Sequence, residues 1–278
     1  MQFRLIGPPG VDDGIRRTMA PKGMTTTLFV ALLLRANQAV DSASLVTLLW
    51  PGTRPPSADA NLRQYASRLR TYLQESASQD ASRLRSARGG GYLLELDRDE
   101  LDLTVFDDLT TLGREALESG DVHTAQSHLQ AAVDLWKGPM CQGTVLAPEL
   151  EVDVLYWDEL RLSAQLMLLQ TRLRLGEYHL AIAEIRPILA SNPLCEELWG
   201  MLMLAFYRSH RRGEALEVFR TAHRRFVRDL GIEPTPDLKR LHQAILAGDC
   251  PLDGFSWLTP PVRENQCAKA SHGLGSRF

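Results

Sequence analysis

The stretch "LWGMLMLAFYRSHRRGEALEVFRTAHRRF", residues 198 to 226, sets the tightest limit on what this chain can fold into. It spaces Trp199, Leu202, Phe206, Ala215, Phe219 and Ala222 over two helices, with "RSHRR" at 208 to 212 as the turn between them. Shifted back by 34 residues, Ala181, Ile185, Ile188 and Pro193 fall on matching positions. A further 56 residues back, Ala125, Leu129 and Ala132 repeat the small-large-small spacing. The 56 is one 34-residue period plus 22, the length of "GPMCQGTVLAPELEVDVLYWDE". A fixed period of this size is the mark of stacked helix pairs. The alanines let paired helices approach closely, and the large residues fill the layer between them. Strand signals are absent from about 103 to about 247, so this half is all-α.

The spacing is that of a tetratricopeptide unit, and a solenoid of such units offers grooves to protein partners. The first hundred residues read differently. "QFRLIG" alternates and "PPGVDDG" is turn-rich, so the chain opens with strands of a small sheet. Pro21 and Lys22 introduce a buried helix, "GMTTTLFVALLLRAN", ending near Asn37. "DSASLVTLLW" is a second helix, capped near Asp41 or Ser42. "PGTRPPS" breaks it, and Ser57 is placed to cap a third helix that contains "DANLRQYASRLRTYL". "RLRSARGGGYLLEL", 83 to 96, places two extended arms around three glycines, a β-hairpin. The order is strands, three helices, hairpin.

The third helix has one apolar face, made by Leu62, Tyr65, Ala66, Leu69, Tyr72 and Leu73. The opposite face is a slim neutral ridge of Ala60, Gln64, Ser67 and Thr71. Arg63 and Arg70 border it on one side, Asn61 and Arg68 on the other. A solvated helix ordinarily mixes Glu with Lys. A slim ridge suits the major groove of DNA, about 12 Å wide. There Gln64, Ser67 and Thr71 can hydrogen-bond base edges, and the amide of Gln64 has the fork that matches adenine N6 and N7. Arg63, Arg68 and Arg70 splay toward phosphates or guanine edges. Arg83, Arg85 and Arg88 lie on the following hairpin, where a wing reaches the minor groove or the backbone. This is the pattern of a winged helix-turn-helix. The competing reading is a merely solvated arginine face; the arginine-bearing hairpin and the charge distribution weigh against it.

Net charge over the 278 residues is only -3, which announces no nucleic-acid binder. The distribution does. Residues 1 to 94 hold twelve Arg or Lys and six Asp or Glu, a net of +6, and leave -9 for the remainder. A basic first part and an acidic second part suggest one partner for each. Cys141, Cys195, Cys250 and Cys267 are scattered without a CxxC pair, in keeping with reduced thiols of the cytoplasm. No signal peptide is read at the start, and the longest apolar run, "LFVALLL", is too short to span a bilayer. GxxxxGK[ST], HExxH and GxSxG patterns are absent from the sequence, and no metal, cofactor or catalytic residue is expected. The cluster Glu149, Glu151, Asp153, Asp158 and Glu159 reads as an acidic helix start helped by the helix dipole.

From its start to about residue 248 the chain resembles the Streptomyces antibiotic regulatory protein (SARP) family. "ASRLRTYL" resembles the end of the recognition helix of an OmpR-type winged helix, and "RGGGY" resembles its wing. "LWGMLMLAFYRSHRRGEALEVFR" and "RDLGIEPTPDLKRLHQAIL" resemble blocks of the bacterial transcriptional activation domain. The resemblance implies a mainly α chain: an α+β winged helix-turn-helix over 1–97, an all-α tetratricopeptide-like domain over 98–248, and a loose tail over 249–278. It implies that Arg68 reads a base, Arg70 contacts a phosphate and Arg88 serves the wing. After "PK" the family carries further polar or basic residues, whereas Gly23 and Met24 follow here, so Lys22 alone stands for a phosphate contact at the first helix. The implied function is a cytoplasmic, nucleoid-associated activator of a secondary-metabolite gene cluster. It would bind direct repeats of double-stranded DNA as a dimer and recruit RNA polymerase with its sigma factor. The alternative from another class is a tetratricopeptide adaptor whose first domain is an interaction module.

Overall fold

The computed structural model describes residues 1–76, 83–87 and 90–248. The chain opens with a small antiparallel sheet of β1 (Gln2–Arg4), β2 (Gly10–Asp12) and β3 (Arg17–Met19), in that order. Phe3 stands opposite Val11, and both are buried on one face, as the period of two requires. The carboxylate of Asp13 accepts from the backbone N–H groups of Arg16 and Ile15, at 2.7 and 2.8 Å. Those bonds close the turn into β3 and hold the carboxyl below its ordinary pKa.

Helix α1 (Met24–Leu33) is buried from Thr25 to Leu33, which explains why "TTTLFVALLL" has no polar face. Asp41 caps α2 (Ser42–Leu49): its side chain accepts from Ser44 N at 2.9 Å and from Ser44 Oγ at 2.6 Å. Helix α3 (Ala58–Ser76) packs Leu62, Ala66, Leu69, Tyr72 and Leu73 inward. Strands β4 (Leu84–Ser86) and β5 (Tyr92–Leu94) form the hairpin, with Leu84 opposite Leu94.

The hairpin is latched to the turn between α1 and α2. Val40 and Tyr92 exchange two backbone hydrogen bonds of 2.9 Å. Asn37, in the left-handed region at φ 63°, exchanges two side-chain bonds of 2.9 Å with the backbone of Leu96. Gly91 is dictated by this latch: at its φ of +106° a Cβ would stand 2.2 Å from Val40 O.

A short 3₁₀ turn (Arg98–Glu100) leads into α4 (Asp102–Ser119), α5 (Val122–Asp134) and α6 (Pro148–Arg174). Asp102 is buried at the start of α4, and its carboxylate accepts from Leu5 N at 2.9 and 3.0 Å and from Ile6 N at 2.9 Å. Burial pushes its pKa up to about 6, against the pull of those donors. Cys141 N donates to Leu5 O at 2.8 Å and Gln142 N to Gly7 O at 3.0 Å, fixing the loop before α6 to the segment that follows β1. Phe106 sits edge-on to Trp136 at 5.4 Å and to Trp157 at 6.3 Å.

These contacts place Phe106, Trp136, Met140, Leu150 and Ala164 in one apolar core with Phe3, Leu28, Phe29 and Leu69. The chain accordingly divides into one compact unit of Met1–Ala116 and His123–Leu168 and a second of Leu117–Val122 and the residues from Leu169 onward. The division falls inside α4 and α6. A cut at 97 would leave the apolar faces of Phe3 and Leu5 without Leu101, Leu103 and Phe106, all buried beside them.

In the second unit, α7 (Tyr178–Ser191), α8 (Glu196–Arg208), α9 (Arg212–Leu230) and α10 (Pro236–Ala247) follow one another through short turns. Of the repeat positions, Ala181, Ile185, Trp199, Leu202, Phe206, Ala215 and Ala222 are buried, while Ile188 and Pro193 are half-buried. Ala125, Leu129 and Ala132 are buried in α5. Phe219, also half-buried, stacks flat on His242 of α10 at 3.9 Å and 8°. The 22-residue insertion is part loop and part the first turns of α6, with Glu149 and Glu151 in the first turn as the dipole favours. Arg172 is buried at the end of α6, donating to Glu184 at 2.6 and 3.0 Å and to Glu177 at 2.8 Å. The expected loose tail, 249–278, lies outside the described residues.

Candidate nucleic-acid interface

Two aromatic contacts set the angle of α3. Tyr65 stacks on Trp50, the residue that ends α2, at 6.1 Å and 30°. Tyr72 is buried against Phe29, edge-on at 5.8 Å, and its hydroxyl donates to Thr18 O at 2.8 Å. Burial raises the Tyr72 pKa to about 12, so this donor stays protonated. With the inner face held at both ends, the opposite face is presented to solvent. Gln64, Ser67 and Thr71 are exposed along it, and Arg63 and Arg68 are exposed beside it. Arg63 and Arg68 form no ion pair with any carboxylate among the described residues. Thr71 donates to Ser67 O at 3.3 Å, which aims its hydroxyl along the helix.

The other sequence-predicted residues are more committed. Asn61, half-buried in the first turn, donates its side-chain amide to Ser57 Oγ at 3.1 Å. Arg70 is half-buried and turned toward the hairpin. Its Nε donates to Leu84 O at 3.2 Å and its Nη2 to Ser86 Oγ at 3.1 Å, and its guanidinium lies 5.5 Å from the Tyr92 ring centroid. It therefore joins recognition helix to wing. Arg85 is exposed on β4 and pairs across the hairpin with Glu95 at 2.9 Å. Arg83 is half-buried beside the core. Its guanidinium makes a two-pronged bond to Glu100, one prong at 2.9 Å, and lies 6.0 Å from the Phe3 ring centroid. The physical reason is that a carboxylate at the end of the 3₁₀ turn offers better compensation than solvent to a guanidinium lying over the core. Lys22 is exposed just before α1. Arg88 lies outside the described residues.

Two further residues complete the geometry. Ser86 receives Arg70, and Asn37 latches the hairpin. The alternation of β4 places Leu84 and Ser86 on one face and Arg85 on the other, but it does not show that the guanidinium of Arg70 reaches both Leu84 O and Ser86 Oγ. Asn37 sits where a helix ends, a position at which asparagine in the left-handed conformation is a recognisable stop. Among the described residues no cluster of His, Cys, Asp or Glu is arranged to hold a metal. No described helix is long and apolar enough to cross a membrane.

Residues 18–94 match the family described as transcriptional regulatory protein, C terminal, and residues 101–246 match the bacterial transcriptional activator domain. The regulatory protein DnrI of Streptomyces peucetius is 31% identical over 258 residues, 91% of this chain and 94% of its own length. The transcriptional regulator RedD of Streptomyces coelicolor is 33% identical over 90% of this chain and 71% of its own. The regulatory protein AfsR of Streptomyces griseus is 31% identical over 90% of this chain, which spans only 25% of that relative. Among solved structures, Mycobacterium tuberculosis EmbR in complex with a low-affinity phosphopeptide aligns with a TM-score of 0.84 at 28% identity, over 91% of this chain and 66% of the EmbR chain.

Proposed function

The chain belongs to the SARP family of transcription regulators, which join an OmpR-type winged helix to a bacterial transcriptional activator domain, and from that premise we propose that it is a sequence-specific activator of a secondary-metabolite (antibiotic) gene cluster. The observation that carries the proposal is the exposed ridge of α3 flanked by Arg63 and Arg68, which pair with no carboxylate among the described residues.

In this reading α3 lies in the major groove. Gln64, Ser67 and Thr71 meet base edges, and Arg68 makes a two-pronged contact to guanine. Arg63, Asn61 and Lys22 reach phosphates, and Arg85 and Arg88 serve the wing. Arg70 has a double part: one edge of its guanidinium holds the wing, and the remainder faces the backbone of the duplex. A direct repeat seats two copies in the same orientation, and the acidic helical residues recruit RNA polymerase through its sigma factor.

The test is a gel shift of the full chain on DNA from its own gene neighbourhood against scrambled DNA, across a salt series. Specific binding predicts a preference of about 10³-fold or more and a steep fall of affinity with salt. Equal affinity for both probes at every salt concentration would instead favour the protein-interaction adaptor. Transcription in vitro with purified polymerase then tests activation.

A further inference from the structure

A cavity of about 990 Å³ opens beside the amino-terminal end of α1. Pro8 and Pro9 of the β1–β2 turn, Met19 and Met24 around the chain's entry into α1, and Leu48 and Leu49 at the end of α2 wall it, and residues 142–147 close the far side. The far side is held in place: Thr27 Oγ1 donates to Val145 O at 3.4 Å, and Gln142 N is bound to Gly7 O. Apolar walls and a volume within the range of about 300–1,000 Å³ are those of a small-molecule pocket. Its rim leaves large apolar side chains in water, Val145 at 89% and Met19 at 51% exposure.

The charge is one-sided. Lys22 is in the lining and no carboxylate is. The start of α1 is in the same wall, with Gly23 at the cap making no side-chain bond and no acidic residue in the first turn. An ammonium group and the positive end of a ten-residue helix, unopposed by any acid, favour an anion. We propose that this cavity binds a small amphipathic molecule with one anionic group, its apolar body against Leu48, Leu49 and Met24 and its anion at Lys22, where it competes with the DNA phosphate assigned to that residue above. The ligand would fill the space beside α1 and α2, the two helices on which α3 is packed.

The test uses the full chain and 8-anilinonaphthalene-1-sulfonate, an apolar ring system with one sulfonate, followed by fluorescence. Octanoate and 1-octanol are then compared as competitors, since they share a chain length and differ in charge. One probe should bind per chain, and octanoate should displace it at concentrations about tenfold below those of 1-octanol. Lys22→Ala, at an exposed position, should bring the two competitors within about twofold of each other. Thr144→Trp, which fills the cavity from its far side, should weaken probe binding about tenfold or more, with circular dichroism confirming the fold. The proposal is overturned if the wild-type chain shows no saturable binding, which would leave the groove to a polypeptide. It is equally overturned if 1-octanol competes as well as octanoate, if Lys22→Ala leaves the preference intact, or if a folded Thr144→Trp binds the probe as the wild type does.

Discussion

Helices α3 and α9 are both nineteen residues long and both rich in arginine, yet they treat their charge in opposite ways. On α9, Arg220 and Arg224 share Glu217 at 3.0 and 3.2 Å, and Arg225 and Arg228 share Asp229 at 3.3 and 2.6 Å. The guanidinium groups are compensated within two turns of their own helix. On α3, Arg63 and Arg68 pair with no carboxylate among the described residues, since Asp59, one turn before Arg63, is held by Arg54 at 2.6 Å, and Arg70 bonds the hairpin. The number of arginines therefore does not mark a DNA-reading surface. What marks it is positive charge that the fold leaves uncompensated beside a slim ridge, because only such charge gains by releasing counterions from a phosphate backbone.

The contrast can be broken most severely through a third kind of arginine, the buried pair. Glu100→Ala strips Arg83 of its partner and also removes the acceptor for Asp97 N. It should lower the unfolding free energy by about 2–4 kcal/mol, since an uncompensated charge is left over the core. Denaturant unfolding of the full chain measures this, and an unchanged midpoint would mean that Arg83 turns outward and belongs with the DNA-facing set. Next in size, Arg68→Ala should cost about 1–3 kcal/mol of specific binding and relax preference at one base position, while Arg63→Ala should weaken all sequences alike. Binding assays on a panel of single-base variants separate the two, and identical losses from both would remove the distinction between base reading and backbone contact.

A smaller effect comes from uncovering charge on the other helix. Glu217→Gln leaves Arg220 and Arg224 without their acid and should steepen the salt dependence of non-specific binding by at most about one unit of slope. Smallest of all, the double replacement Arg220→Ala with Arg224→Ala should leave specific affinity within about twofold, because surface charges already paired contribute little. A loss comparable to that of Arg68→Ala would show that α9 touches DNA and would undo the comparison.

Much of this was visible in the linear chain. The period of 3.6 placed Leu62, Ala66, Leu69, Tyr72 and Leu73 inside and Gln64, Ser67 and Thr71 outside, and α3 carries them so. The 34-residue spacing put Ala181, Ala215 and Ala222 at close helix contacts, and all are fully buried. Capping chemistry narrowed the start of α2 to Asp41 or Ser42, and Asp41 is the cap. The use of each arginine was harder to see. Spacing along the chain says which face a side chain leaves from, not what waits there: it does not show that Arg83 meets Glu100 or that Arg70 bonds Leu84 O and Ser86 Oγ.

The sequence by itself determined the kinds of element, their order and the inward face of each helix, because these follow from local periodicity, turn chemistry and caps within a few residues. The tertiary structure alone decided which charges are compensated and where one core ends. Glu100 meets Arg83 from 17 residues away, Asp102 meets Leu5 from 97, and Phe106 and Trp136 join Phe3 in a core that runs past residue 97. Such meetings depend on how whole elements pack, and a carboxylate or an aromatic ring carries no mark in the chain of the distant strand it will close upon.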